Sequence, residues 1–355
     1  MTDLAQHLLA RIEAHGPMTV ADFMGEALLH PTLGYYTTRD PLGAEGDFTT
    51  APEISQMFGE LVGLALAQSW LDQGAPAPFT LAELGPGRGT LMADILRATR
   101  AVPNFHAAAQ IHLVEVSPTL RAKQRETIAV DLTHHDTVDT LPLQPLFLVA
   151  NEFFDALPIR QFQRGPTGWH ERLIAMRDGA LTFAFGPELP QPQLEHRLAD
   201  TTQDMIVETC APAFSVANEI GTRIRDHGGA ALLIDYGDWR SRGDTLQALQ
   251  NHEYANPLAA PGDADITAHV DFEALAQAAP CAHSKLTPQG VFLEQLGITP
   301  RAQSLATKLA GPALQSHIAA HRRLTHPEEM GNLFKVLALF PENGTPPPGC
   351  TTHDA

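Results

Sequence analysis

The sequence predicts an α/β fold: an open, doubly wound and mainly parallel sheet, with a helical region before it and an antiparallel and helical subdomain inserted into it. Three observations predict this. From Phe79 onward, short apolar runs alternate with helix-patterned stretches, the βαβα order of a parallel sheet. The first run ends in bare backbone and then a helix, "LAELGPGRGTLMADILR", Leu81 to Arg97. Between two later runs, "IRQFQRGPTGWHERLIAMRDGALTFAFG" alternates in the manner of antiparallel strands, with Asp178-Gly179 as a turn.

The elements follow in order. Leu4, Leu8, Leu9 and Ile12 recur at helical spacing, and "TVADFMGEALLH" continues the helical region. "HPTLGYYTTRDPLGAEGDFTT" is rich in Gly, Pro, Asp and Thr and reads as a long ordered loop. Pro52 and Glu53 then suit a helix start. "FTLAELG" and "AQIHLVEVS" are strands, each followed by a helix. "QPLFLVANEFF" supplies the fourth strand and "GAALLIDYG" the next, with a helix over about 209–226 between them. "DFEALAQAA" is a helix, "CAHSKLTPQG" a further strand, and "LFKVLALF" the final one. The expected layout is a helical region with a covering loop over 1–75 and a sheet domain over 76–340. The latter carries insertions at about 160–226 and 290–330, and a disordered tail follows over 341–355.

Composition bounds the function. The chain has 355 residues, and its 44% hydrophobic content is that of an ordinary globular protein. Its 41 acidic against 23 basic residues, a net charge of −18, argue against nucleic acid or an anionic membrane as partner and weakly favour a cationic substrate. Cys210, Cys281 and Cys350 have no paired spacing, so neither a disulfide framework nor a zinc site is expected. His134-His135 and "HIAAH" at His317 and His321 lack the further ligands a metal needs. Without a signal-peptide core or an apolar span, the expected location is the cytoplasm and no membrane insertion is expected.

The glycines sit at the carboxyl end of the first strand, where open α/β sheets bind ligands. Gly85, Gly87 and Gly89 make G-x-G-x-G, whereas a dinucleotide fingerprint needs G-x-G-x-x-G and would find its third glycine where Thr90 stands. Glu83 precedes them at the strand end; a carboxylate there suits an ammonium-bearing ligand and suits a pyrophosphate poorly. Glu115 closes the second strand, 26 residues after Gly89, where an acid accepts from both hydroxyls of a ribose. S-adenosyl-L-methionine carries an ammonium, a sulfonium and a ribose and no phosphate, and it is the ligand these residues favour together. Taken singly, the glycines could serve only a tight βα turn, and Glu115 could be a solvated strand end.

Six stretches carry a family resemblance: "HPTLGYYTTRDPLGAEGDFTTAPEISQMFGE", "ELGPGRGTLMADILR", "ANEFFDALPIRQF", "LLIDYG", "DADITAHVDFEAL" and "MGNLFKVL". Through them almost the whole chain resembles the MidA-type family of S-adenosylmethionine-dependent methyltransferases, which includes a mitochondrial complex I assembly factor that methylates a protein arginine. The resemblance implies a Rossmann-like class I methyltransferase sheet and a protein acceptor, by the same analogy a respiratory-complex-type subunit. Asn151 to Asp155, "NEFFD", then follow the fourth strand where such enzymes position the methyl acceptor, with Asn151 at the cofactor and Glu152 and Asp155 as a carboxylate pair for a guanidinium. Against this stands a plainer reading, in which Asn151 caps a helix and the two acids are solvated. Asp136 occupies the position of an acid accepting from the adenine amino group. Asp47, Thr49 and Thr50 would close a loop over the cofactor mouth, although Thr50 also suits a simple helix cap. Two other functions stay open: a non-catalytic, cofactor-binding assembly factor and a small-molecule methyltransferase.

Overall fold

The computed structural model of the protein describes residues 2–38, 49–250 and 253–352. Its chain divides into two compact units, one of residues 1–48, 155–213 and 240–271, the other of 49–154, 214–239 and 272–355.

The second unit holds the main sheet. Its strands are β1 (Phe79–Leu84), β2 (Ala109–Val114), β3 (Leu132–His135), β4 (Leu146–Asn151), β5 (Gly229–Asp238) and β6 (Phe334–Phe340). Across the sheet they run β6-β5-β4-β1-β2-β3, with the two-residue strand Ala282–His283 beyond β6. Strands β3, β2, β1, β4 and β5 are mutually parallel; β6 alone of the six is antiparallel, pairing Ala231 with Leu339 and Tyr236 with Phe334. Every residue of β1 and β4 is buried, which is why both read as unbroken apolar runs. The stretch read as a strand around "CAHSKLTPQG" forms two strand fragments, Ala282–His283 and Thr287–Pro288, both on β6.

Helices pack on this sheet. α1 (Gln56–Asp72) is largely apolar and correspondingly mostly buried, including Met57, Phe58, Val62, Leu66 and Trp70, with Leu64 and Gln68 exposed. α2 (Thr90–Ala98) buries Leu91, Met92, Ile95 and Leu96 along one stripe. A Cβ at Gly63 of α1 would lie 2.8 Å from the Ile95 Cα, so that glycine lets the two helices meet backbone to backbone. Beneath them Trp70, Phe79, Phe105 and Phe147 stack edge to face or tilted, with ring centroids 5.0–5.6 Å apart. α3 (Pro118–Thr127) begins with Ser117 capping the Leu120 N–H and Pro118 in the first turn.

The first unit has its own core of Leu4, Leu8, Phe23, Met24, Tyr35 and Ile174, among others. Helix Asp3–His15 and helix Val20–Leu29, the latter started by a Thr19–Asp22 capping box, pack with an antiparallel sheet. That sheet orders Met18–Thr19, Trp169–Arg177, Arg160–Arg164 and Ile206–Thr209, with Ala180–Leu189 as the hairpin partner of Trp169–Arg177. The hairpin turns at Asp178 (φ 52°) and Gly179 (φ 74°), as the alternating pattern predicts.

The carboxyl-terminal segment differs from expectation. Residues 341–352 were expected to be disordered, yet Cys350 is buried in the sheet unit's core and Lys285 N–H donates to Thr351 O at 2.8 Å. Gly349, at φ +82°, brings the backbone so close to Phe292 that a Cβ would sit 2.6 Å from its ring. Proline and glycine content signals a lack of helix and strand; it does not exclude packing.

Candidate functional site

Strand order places the crevice. The chain passes from β1 outward to β2 and β3 and then returns to β4 on the other side of β1, so the order reverses between β1 and β4. Ligands of open α/β sheets bind outside the carboxyl ends of the strands at such a reversal. Register sets which residues emerge there. Leu84 pairs with Val114 and with Ala150, so Gly85, Glu115 and Asn151 leave the sheet at one level.

The glycine turn occupies this edge. Gly85, Gly87 and Gly89 have φ of 59°, 52° and 84°, conformations that L side chains rarely hold. Two of them also clear space for neighbours. A Cβ on Gly85 would meet the Phe153 ring at 3.0 Å, and one on Gly89 would meet Ile128 at 3.0 Å. Gly89 N–H closes the turn on Pro86 O at 2.8 Å, and α2 starts at once with Thr90. Its first N–H groups therefore face the edge.

Two acids flank the turn. Glu83 is 3% exposed, and burial pushes its carboxyl up to about 8, with the nearby Glu115 charge adding to the effect. Its Oε2 has no hydrogen-bond partner among the described residues. Glu115 is also buried, which raises its pKa; N–H donors from Ser117 (2.8 Å) and Gln124 (3.3 Å) oppose the rise. A buried carboxyl with an unmet acceptor is costly on its own and is suited to a cationic or hydroxyl-bearing ligand.

The end of β4 is held in an unusual way. Glu152 has φ +53°, a left-handed conformation uncommon for a residue with a side chain. Its N–H donates to Ile234 O, and Phe154 N–H donates to the buried Asp235 carboxylate at 3.0 Å. Glu152 Oε1 accepts from Asn151 Nδ2 and from Ala51 N–H, both at 3.0 Å. Asn151 Oδ1 is buried and has no partner among the described residues. Ala51 opens the short helical turn Ala51–Ile54, whose Glu53 Oε1 accepts from the Thr90 hydroxyl at 2.5 Å. Residues 49–54 thus form a strap bonded at one point to the residue after β4 and at another to the first residue of α2. Sequence reading missed Glu53 and Thr90 as partners, because no local spacing relates residues 37 apart.

The remaining candidates are spread more widely. Thr49 and Thr50 lie in the strap, half-buried, and Thr50 makes no side-chain cap. Asp47 lies outside the described residues. Asp136 is exposed and ion-paired to Arg121, which also donates to Glu115 O at 2.6 Å. Asp155 is buried and belongs to the other unit. There the Tyr36 hydroxyl donates to Asp265 at 2.8 Å, and its pKa is held far up by burial and by the charges of Asp265 and Asp155. Tyr36 and Asp265 are the members of this buried group that sequence reading missed: a Tyr in a loop reads as packing, and Asp265 stands 110 residues beyond Asp155. In the same unit His7, Glu26 and His30 bring ligand atoms within 4.8 Å of one another. Glu26 is paired to Arg11, and His30 Nδ1 accepts from the Thr32 and Leu33 N–H groups, so this cluster is engaged in loop and helix contacts.

Residues 61–291 match the family described as "Putative S-adenosyl-L-methionine-dependent methyltransferase". The chain belongs to that family. The methyltransferase is also similar to curated proteins from cattle and human named "Protein arginine methyltransferase NDUFAF7, mitochondrial", at 37% and 36% identity over 96% of this chain and 84% of each relative. A Drosophila melanogaster homologue of the same name is 37% identical over 95% of this chain and 85% of its own. A Burkholderia thailandensis protein crystallised with S-adenosyl-homocysteine superposes with a TM-score of 0.83 at 29% identity, covering 99% of this chain and 96% of the other.

The methyltransferase therefore has a class I methyltransferase fold and takes S-adenosyl-L-methionine as its donor. The residues present fit that donor: the edge offers unmet buried acceptors at Glu83 and Asn151, a bare glycine backbone and a second buried acid at Glu115. The cytoplasmic expectation is corrected, because these curated relatives are all named as mitochondrial. No helix among the described residues is long and apolar enough to cross a membrane.

Proposed function

We propose that this methyltransferase transfers the methyl group of S-adenosylmethionine to a nitrogen of an arginine side chain on a protein. The observation that carries the proposal is similarity of 36–37% along almost the whole chain to proteins named as protein arginine methyltransferases. A respiratory-complex subunit as that protein rests on the family resemblance alone and belongs to the same proposal.

In this reading Glu115 accepts from the ribose hydroxyls, and Glu83 with the glycine backbone receives the ammonium end. Asn151, Thr49 and Thr50 border the donor, and Asp136 serves the adenine. The bound donor supplies an electrophilic methyl on a sulfonium. The protein contributes positioning and charge placement, which suffice for an in-line displacement once the acceptor nitrogen is aimed. Glu152 holds the guanidinium charge, whose planar fork is matched by a carboxylate. The overall negative charge of −18 accords with a cationic acceptor.

Comparing proteome arginine methylation in cells with and without the gene tests the proposal. At least one methylarginine-bearing peptide should vanish on deletion and return with the wild-type chain but not with Glu115→Ala. An unchanged methylarginine profile would overturn the choice of acceptor.

A further inference from the structure

Gln124 lies on α3, in a stretch, "PTLRAKQRETI", that reads as a polar helix surface, yet its side chain is fully buried. Its amide makes three hydrogen bonds. Nε2 donates to Gly87 O at 2.7 Å and to Glu115 Oε2 at 3.3 Å. Oε1 lies 2.7 Å from His134 Nε2 on β3, which must be the donor because Oε1 can only accept. This set fixes the amide's orientation, since flipping it would turn an oxygen toward two acceptors. It fixes the His134 tautomer too: the proton sits on Nε2 and the ring is neutral, with its pKa pushed down to about 4 by burial and by Arg125 and Arg121.

We infer that Gln124, oriented by His134, is a positioning residue for the methyl donor: one amide sets the glycine turn and the ribose-binding carboxylate relative to each other. The inference rests on the donor site proposed above and assigns a role to a residue outside it. Gly87, at φ 52°, leaves its carbonyl in need of a donor, and Gln124 supplies it from a different element. The second amide proton aims Glu115 Oε2 without neutralising it. Arginine or lysine at this place would pair with Glu115 and compete with the ribose. A carboxylate would repel both Glu115 and the Gly87 carbonyl.

The test measures S-adenosyl-homocysteine affinity by calorimetry in the full-length chain, with folding checked by thermal unfolding. Gln124→Met keeps the helix and the volume but makes none of the three bonds; affinity should fall about tenfold or more. In steady state KM for the donor should rise with kcat little changed. Gln124→Glu should lose more at about pH 8.5 than at about pH 6.5 relative to wild type, because protonation restores one donor. The groups facing it are Glu115 and His134, with Arg121 and Arg125 on its own helix and Glu83 beyond Glu115, so the wild type is titrated in parallel. His134→Phe should give a smaller loss than Gln124→Met. Glu115→Ala separates the two readings. If it weakens binding while a folded Gln124→Met binds normally, the positioning role is overturned and the site stands. If Glu115→Ala itself binds normally, the donor site assignment fails.

Discussion

Glu83 is the residue whose burial has the plainest cost. Its folded-state pKa of about 8 lies above its ordinary value of 4.5, so protonated Glu83 contributes stability that is fully present below about 4.5. That contribution is lost as pH rises through about 8. Glu83→Gln should therefore flatten the fall in stability over this window when denaturant unfolding is followed in the ligand-free protein, while weakening donor binding. An identical pH slope in wild type and variant would remove Glu83 as its source. Glu152 presents a different combination, a left-handed backbone and a carboxylate oxygen taken up by two N–H donors. Glu152→Gln keeps an oxygen for Ala51 N–H and loses the charge. Donor affinity should stay within about threefold, while turnover on an arginine-bearing protein falls about tenfold or more. Normal turnover would refute the charge-holding role even if methyl transfer is real. At this scale the residues proposed for the donor could be singled out from the sequence. Gly85, Gly87 and Glu115 stand out by type and order, whereas Gln124, Thr90 and Tyr36 do not, because their partners lie on other elements and their residue types are common on surfaces.

At the scale of elements, the strap 49–54 links the residue after β4 to the start of α2 through Ala51 N–H to Glu152 and Thr90 to Glu53. A segment bonded at two points across the strand-order reversal would restrain the exit of a donor held there. Glu53→Ala removes one of the two bonds, so S-adenosyl-homocysteine should dissociate faster by roughly tenfold in stopped-flow displacement, with thermal stability little affected. Unchanged dissociation would mean the strap does not gate the donor. The sheet strands and their helices could be read from the sequence because β1, β4 and β5 are buried on both faces and so carry continuous apolar runs. β3, "LTHH", is half-polar and leaves almost no such signal. The packed residues 341–352 left none either, since their order comes from contacts with Phe292 and Lys285 rather than from local periodicity.

For the whole molecule, the central claim is that an acidic α/β methyltransferase moves a methyl group from S-adenosylmethionine to a protein arginine. The fold and the donor chemistry were accessible from motif order alone, because backbone geometry at a strand end needs particular residue types. The acceptor was not, because an acid that would hold it is of a type common on any surface. The most direct measurement incubates the purified chain with methyl-labelled S-adenosylmethionine and extract from cells lacking the gene, then hydrolyses the labelled protein and separates its amino acids. Label should appear in methylated arginine with the wild-type chain and fall strongly with Glu115→Ala. Label in another amino acid or only in small molecules, or no transfer by a protein that binds the donor normally, would contradict it.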